Sequence, residues 1–260
     1  MADTSPVRLV NAATLICLRC KTRTDSSSSS SPWEVLLGQS EVKNWLSSTA
    51  TSTRIMRYPG EWKFPGGAVD ANDGSFRDAA LRELQEEFLG IPVTASNAQL
   101  YYFNTKVTRP VQQRRHRMVN FVAFAEENAA WMNDTAVEAV NETLASKRAK
   151  FQTLLSDGTY WAMSTAEKES VSPEIHRVRW FPLDQAFNMM AETMIDKPSY
   201  VDEWQRGEFT KYGIARRDPM YISMLILRDI GEFETLDDIK AFLATRTPPT
   251  LQEFQAQSHL

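Results

Sequence analysis

The chain reads as an α/β protein, on three observations. Short apolar, β-rich runs recur at residues 7–20, 33–38, 99–107, 117–125 and 174–183. Segments with helical spacing stand between and after them, at 75–88, 135–156, 184–194, 219–230 and 236–245. Hydrophobic residues make up 42% of the 260, enough to build a globular core, and the length suits one domain with additions.

The first strand, residues 7–20, pairs by expectation with the second, 33–38, across a run of serines, 26–31, which packs no core and reads as a flexible hairpin loop. Cys17 and Cys20 fall in the first strand as CxxC. Residues three apart in a strand point to opposite faces, so zinc is not expected, and a reduced intracellular compartment fits this cysteine usage. A second small, polar stretch, 47–53, lies in a long connection that suits a lid or a loop without fixed structure.

Residues 75–88 carry the clearest helical pattern. Phe76, Ala80, Leu84 and Phe88 form one stripe facing a core. Ser75 with Asp78 three residues on is a start of the capping-box kind, and Gly90 before Pro92 is a stop. Glu83, Glu86 and Glu87 sit three and four residues apart, so their carboxylates converge on one side. Such crowding raises carboxylate pKa values unless a cation lies between them, and hard oxygen donors suit Mg²⁺ or Mn²⁺. Arg82, four residues before Glu86, can orient part of the cluster. Upstream, the glycine pair of Phe64-Pro65-Gly66-Gly67 lets bare backbone approach an ion or phosphate closely.

These residues carry a resemblance. Gly67, Arg82-Glu83-Leu84-Gln85-Glu86-Glu87 and Gly90-Ile91 resemble the Nudix box, and Gly60 followed by FPGG matches the run that precedes it in many members. Two departures stand out. The interval from Gly67 to Arg82 is one residue longer than the family's, with Asp70 and Asp73 the acids nearest the missing first glutamate. Phe88-Leu89 also stand where one residue is usual. The resemblance implies an α/β/α sandwich with a mixed sheet over residues 7–195, and a C-terminal helical extension over 196–260. It implies hydrolysis of a nucleoside diphosphate linked to another group, with metal on Glu83, Glu86, Glu87 and the Gly67 carbonyl, and Arg82 aligning the carboxylates. Glu174, just before the last strand, is the candidate general base.

The turn between the third and fourth strands collects Arg109, Arg114, Arg115, His116 and Arg117. In an enzyme of anionic substrates those arginines are candidate phosphate contacts, because the planar guanidinium grips phosphate oxygens in pairs. The lengthened box, the partial LL…GxxxFPGG match and residues 219–242 resemble the peroxisomal coenzyme A diphosphatase branch. That resemblance implies coenzyme A or an acyl-CoA as substrate. A Nudix enzyme of another dinucleotide (NADH, a dinucleoside polyphosphate or a nucleotide sugar) is the alternative. A non-catalytic module binding nucleotide or RNA is a second, against which the intact Glu83, Glu86 and Glu87 argue.

The formal charge of −4 gives no general reason to expect nucleic-acid binding, and no apolar run approaches a membrane span. Ser258-His259-Leu260 is a conservative variant of the SKL address, so the expected location is the peroxisome or a related organelle, reached through its import receptor, with the cytoplasm as alternative. The other expected partner is a small-molecule nucleotide.

Overall fold

The computed structural model describes residues 9–20, 31–52, 54, 56, 60–108, 115–191 and 221–257. Arg109, Arg114, residues 26–30 of the serine run and Ser258-His259-Leu260 lie outside the described residues. The elements are β1 (Leu9–Cys20), β2 (Trp33–Ser40), β3 (Trp62–Lys63), β4 (Gly66–Ala68), α1 (Phe76–Glu87), β5 (Tyr101–Val107), β6 (Arg115–Phe124), α2 (Ala129–Met132), α3 (Asp134–Ser156), α4 (Thr159–Ala162), α5 (Thr165–Val171), β7 (Ile175–Pro182), α6 (Leu183–Ala191), α7 (Tyr221–Gly231), α8 (Leu236–Ala244) and α9 (Leu251–Gln257). Among the described residues, no helix is long and apolar enough to cross a membrane.

The strands form one open, mixed sheet in the order β3-β2-β1-β6-β5, with β4 on β1 and β7 on β2. β1 lies parallel to β6, and its pairings with β2 and β4 are antiparallel, as are β5 with β6 and β2 with β7. β1 is central, and its alternation sets both faces. Ala13, Leu15 and Cys17 point to one core, with Phe76, Ala80 and Leu84 of α1 and Val137, Val140 and Leu144 of α3. Ile16 and Leu18 point to the other, with Ala186 and Met190 of α6, Ile226, Leu227 and Ile230 of α7, and Ile239 and Leu243 of α8. The architecture is therefore helices on both faces of a mixed sheet. Cys17 and Cys20 fall on opposite faces, as the strand reading requires.

Residues 135–156 belong to a single helix, capped by the Asn133 side chain, and Leu154 and Leu155 are only partly buried while Phe151 is fully so. In α7 the deep anchors are Ile226, Leu227 and Ile230, whereas Leu225 is half-buried. Helices α7 and α8 share the second core with β1 and β2. The short helix α9, which has too few apolar residues for a periodic signal, reaches the opposite face and sets Phe254 edge-on to Phe76, with 5.3 Å between ring centroids.

The extra residue after the glutamate run has a structural use. Phe88 caps the end of α1 with its N–H on the Leu84 carbonyl at 2.8 Å, and its ring is fully buried. A Cβ at Gly38 would stand 2.6 Å from that ring, so the glycine in β2 makes the seat. The chain leaves the helix through Gly90 at φ +84°, a conformation costly for any residue with a Cβ.

Among the described strands β7 lies at an edge of the sheet, and an unpaired edge invites association. Here α3 covers it: Asn141 donates to the Val178 carbonyl at 3.0 Å and accepts from the Val178 N–H at 2.8 Å, mimicking a neighbouring strand, and Arg148 donates to the His176 carbonyl. Asn141→Leu should therefore lower unfolding free energy by about 1–3 kcal/mol, because both backbone groups lose their partner. Urea unfolding together with faster hydrogen exchange at the Val178 amide would register it. Unchanged exchange there would show that Asn141 does not protect the edge.

Candidate functional site

The site begins with the placement of Glu87. It lies three residues beyond Leu84 and seven beyond Ala80, on the margin of the buried stripe of α1, and its side chain is 4% exposed. A carboxylate removed from water needs partners. Both oxygens have one: Oε1 is ion-paired with Lys63 Nζ, and Oε2 accepts the Gly66 N–H at 3.0 Å. Lys63 arrives by alternation, since Trp62 and Phe64 enter the second core and the residue between them must face the α1 side.

Arg82 organises the rest of the cluster. Its guanidinium forks onto Asp73, Nε to Oδ1 at 3.1 Å and Nη2 to Oδ2 at 3.0 Å. Nη1 donates to Glu83 at 3.0 Å and to Glu86 at 2.9 Å, and Nη2 also reaches the Ala68 carbonyl at 2.8 Å. One arginine thus ties helix, glycine strand and the intervening loop together. Burial pushes Asp73 up, but the Arg82 fork and the Asp70 N–H outweigh it and hold its carboxyl below the usual range. Asp73, noted in sequence only as an acid near the missing glutamate, anchors that arginine.

The glycine pair is required sterically. A Cβ on Gly67 would lie 2.6 Å from the Glu83 carboxylate carbon, and one on Gly66 would lie 2.5 Å from the Ala13 carbonyl oxygen. Bare backbone and the Glu83 carboxylate are therefore in direct apposition.

Charge in this space is only partly balanced. Burial and then the neighbouring Glu87 carboxylate push Glu83 up to about 7, against the downward pull of Arg82. Glu87 is also raised, chiefly by burial, although Lys63 and the Gly66 N–H oppose the shift. For Lys63, burial favours the neutral amine, but Glu87 foremost, with Glu174 and Glu83, holds it charged. Glu86 is 57% exposed and faces solvent beyond Arg82. Among the described residues no three His, Cys, Asp or Glu side chains already close around a common point, since Glu87 is turned to Lys63 and Glu86 to Arg82. The donors nonetheless suit a divalent cation: they are hard oxygens, they abut a glycine backbone, and one, Glu83, is raised first by burial and then by the Glu87 carboxylate, a repulsion that a cation would relieve.

The other predicted residues divide. Glu174 is exposed at the mouth of β7 and acts electrostatically on Glu87 and Lys63, with its backbone carbonyl accepting from the Glu41 N–H at 2.8 Å. Arg115 is half-buried and donates Nε to the Thr108 carbonyl at 3.2 Å. Arg117 corrects its expectation. It is 9% exposed with its guanidinium 4.2 Å from the Phe254 ring centroid, so it packs the C-terminal helix instead of presenting charge to a ligand. Sequence reasoning passed over Lys63, for which the WKF alternation was the available signal. It also passed over Lys147, half-buried on α3, whose ammonium is pulled down by burial while Glu174 opposes the shift.

A mixed sheet between helices, with a glycine strand against a helix of clustered glutamates, is the geometry expected of a Nudix domain. Residues 49–157 match the family model described as the NUDIX domain. A 39-residue segment is 54% identical to the "Uncharacterized Nudix hydrolase NudL" of Citrobacter koseri; it covers 15% of this chain and spans one fifth, 20%, of that relative. Among solved structures, a NUDIX hydrolase from Alicyclobacillus acidocaldarius is 15% identical over 90% of this chain and 96% of its own, with a TM-score of 0.44. A mutT/nudix family protein from Listeria innocua is 18% identical over 69% and 82%, with a TM-score of 0.37.

The raised Glu83 value sets a pH dependence. Its folded value of about 7 lies above the ordinary 4.5, so between these pH values the native state holds a proton that the unfolded chain has lost. Its contribution to stability is complete below about pH 4.5 and is lost as pH rises through about 7. In chelator, Glu83→Gln should flatten the decline in stability between pH 5 and 7.5, read from urea unfolding at each pH. An unaltered decline would assign it to other groups.

Proposed function

We propose that the protein is a divalent-metal-dependent hydrolase of a nucleoside diphosphate-linked small molecule, with coenzyme A or an acyl-CoA as the substrate. The observation that carries the reaction class is the apposition of the Gly66-Gly67 strand to Glu83, Glu86 and Glu87, organised by Arg82. The matched NUDIX segment contains all of these residues.

Glu83, Glu86, Glu87 and the Gly67 carbonyl would hold Mg²⁺ or Mn²⁺. When bound, such an ion neutralises diphosphate charge and lowers the pKa of a coordinated water. The chain's own groups supply the rest. Arg82 fixes the directions of the Glu83 and Glu86 carboxylates and keeps the α1 side of the site against the Ala68 strand. Glu174, exposed beside the cluster, is the proposed acceptor of the proton from the attacking water. Water attack at one phosphorus then breaks the P–O–P bridge, so that one product takes the water oxygen on its phosphate and the other leaves with the bridging oxygen as a phosphomonoester.

The coenzyme A assignment rests on the lengthened box, its resemblance to that branch, and the arginine-rich turn. Of the described arginines in the turn, Arg115 is the one left to face an extra phosphate, since Arg117 is packed on Phe254.

A panel of nucleotides with Mg²⁺ or Mn²⁺, with products separated by chromatography and identified by mass, tests both levels. Coenzyme A is expected to be split into adenosine 3′,5′-bisphosphate and 4′-phosphopantetheine. Dephospho-CoA should be poorer by about tenfold in kcat/KM, the worth of one charge-assisted hydrogen bond. If coenzyme A is inert while NADH or a dinucleoside polyphosphate is hydrolysed well, the branch assignment fails and the reaction class stands. Glu86→Gln should lower kcat by on the order of a hundredfold or more through loss of one charged ligand. A wild-type rate for the folded variant would contradict the ligand assignment.

A further inference from the structure

We infer that Lys63 is the cation that occupies Glu87 in the metal-free protein, and that a divalent ion takes Glu87 only by displacing the Lys63 ammonium. This rests on the metal reading of the glutamate helix given above. It goes beyond that reading by assigning Lys63 a role as built-in competitor.

The geometry leaves Glu87 no free oxygen. Oε1 is ion-paired with Lys63 Nζ, Oε2 accepts from the Gly66 N–H at 3.0 Å, and the side chain is 4% exposed. A divalent ion approaching Oε1 meets the Lys63 ammonium on that oxygen, and two cations so close repel unless one moves away. The Gly66 N–H is backbone, pinned where β4 pairs with β1 at Thr14 and where Pro65 accepts the Leu15 N–H at 3.0 Å. Lys63 is the partner that can leave. Its backbone is fixed by pairing with Gly38, but the ammonium ends a flexible four-carbon stem and the side chain is 22% exposed.

A place to go is also present. Glu174 is exposed and acts on Lys63 from the β7 side, while Glu86 and Glu83 are held by Arg82 on the far side. The exchange keeps the site balanced in both states. Without metal, Lys63 compensates the buried carboxylate; with metal, the released ammonium remains within the field of Glu174 and next to the space where diphosphate charge would sit. The cost is metal affinity, because each ion bound through Glu87 must break a charge-assisted pair.

The test compares wild type, Lys63→Met and Lys63→Gln at pH 8. Mn²⁺ affinity is read by electron paramagnetic resonance of the free ion, and thermal midpoints are read in chelator and in excess Mn²⁺. Lys63→Met should bind Mn²⁺ about tenfold or more tightly than wild type, reflecting the lost charged hydrogen bond. Its midpoint in chelator should fall below wild type, and Mn²⁺ should raise it by a larger increment. Lys63→Gln, which still offers Glu87 a donor, should show the same directions at smaller size and serves if the Met variant does not fold. Adding Glu87→Gln to Lys63→Met should recover the chelator midpoint and abolish the tightened binding. Mn²⁺ affinity equal to or weaker than wild type in the folded variants would overturn the inference and leave the metal site standing. A wild-type protein that binds no Mn²⁺ would overturn both.

Discussion

A single buried carboxylate constrains this end of the molecule. Glu87 falls on the inner margin of α1 because the stripe of Phe76, Ala80, Leu84 and Phe88 must face the sheet, and a charge so placed requires a cation and a backbone donor within reach. Those needs fix what lies opposite. Lys63 must project from β3 to the α1 side, the Gly66 N–H must be presented without a side chain in the way, and β4 must lie close enough to β1 that only glycine fits. The FPGG run and the glutamate helix are thus two halves of one electrostatic arrangement.

Arg82 plays the complementary part on the outer side. It joins Asp73, Glu83, Glu86 and the Ala68 carbonyl, and so links the lengthened loop to the helix and strand that it separates. The extra residue between Gly67 and Arg82 is accommodated by this loop, whose Asp73 turns back to its own Asp70 N–H and to the arginine. What would be a repelling row of acids becomes a cluster with fixed directions and residual negative charge. Such a site is suited to a hard divalent ion and, through it, to a diphosphate.

Much of this was legible in the sequence, for identifiable reasons. β1, β2, β5, β6 and β7 announce themselves by β-rich apolar runs with turn signals between, and α1 by a 3.6-residue stripe with Ser75 and Gly90 at its ends. The glutamates stand three and four residues apart, so helical geometry places them on neighbouring positions of α1, while their final directions are set by Lys63 for Glu87 and by Arg82 for Glu83 and Glu86. Less was legible where partners are distant in the chain. The Lys63–Glu87 pair depends on β3 being aligned by β2, and Lys147 approaches Glu174 only because α3 lies along β7. Arg117 misled for the same reason, since nothing local to the turn shows that Phe254 arrives to cover it. α9 itself is too short to produce a periodic pattern.

Hydrolysis of coenzyme A in ¹⁸O-enriched water, with and without Mg²⁺ or Mn²⁺, tests the proposed chemistry most directly. Mass spectrometry of adenosine 3′,5′-bisphosphate and 4′-phosphopantetheine should find one ¹⁸O in a phosphate of one product, with label and turnover both dependent on the divalent ion. Products that form at the same rate in chelator, or that carry no label on phosphate, would contradict metal-assisted attack of water at phosphorus by this site.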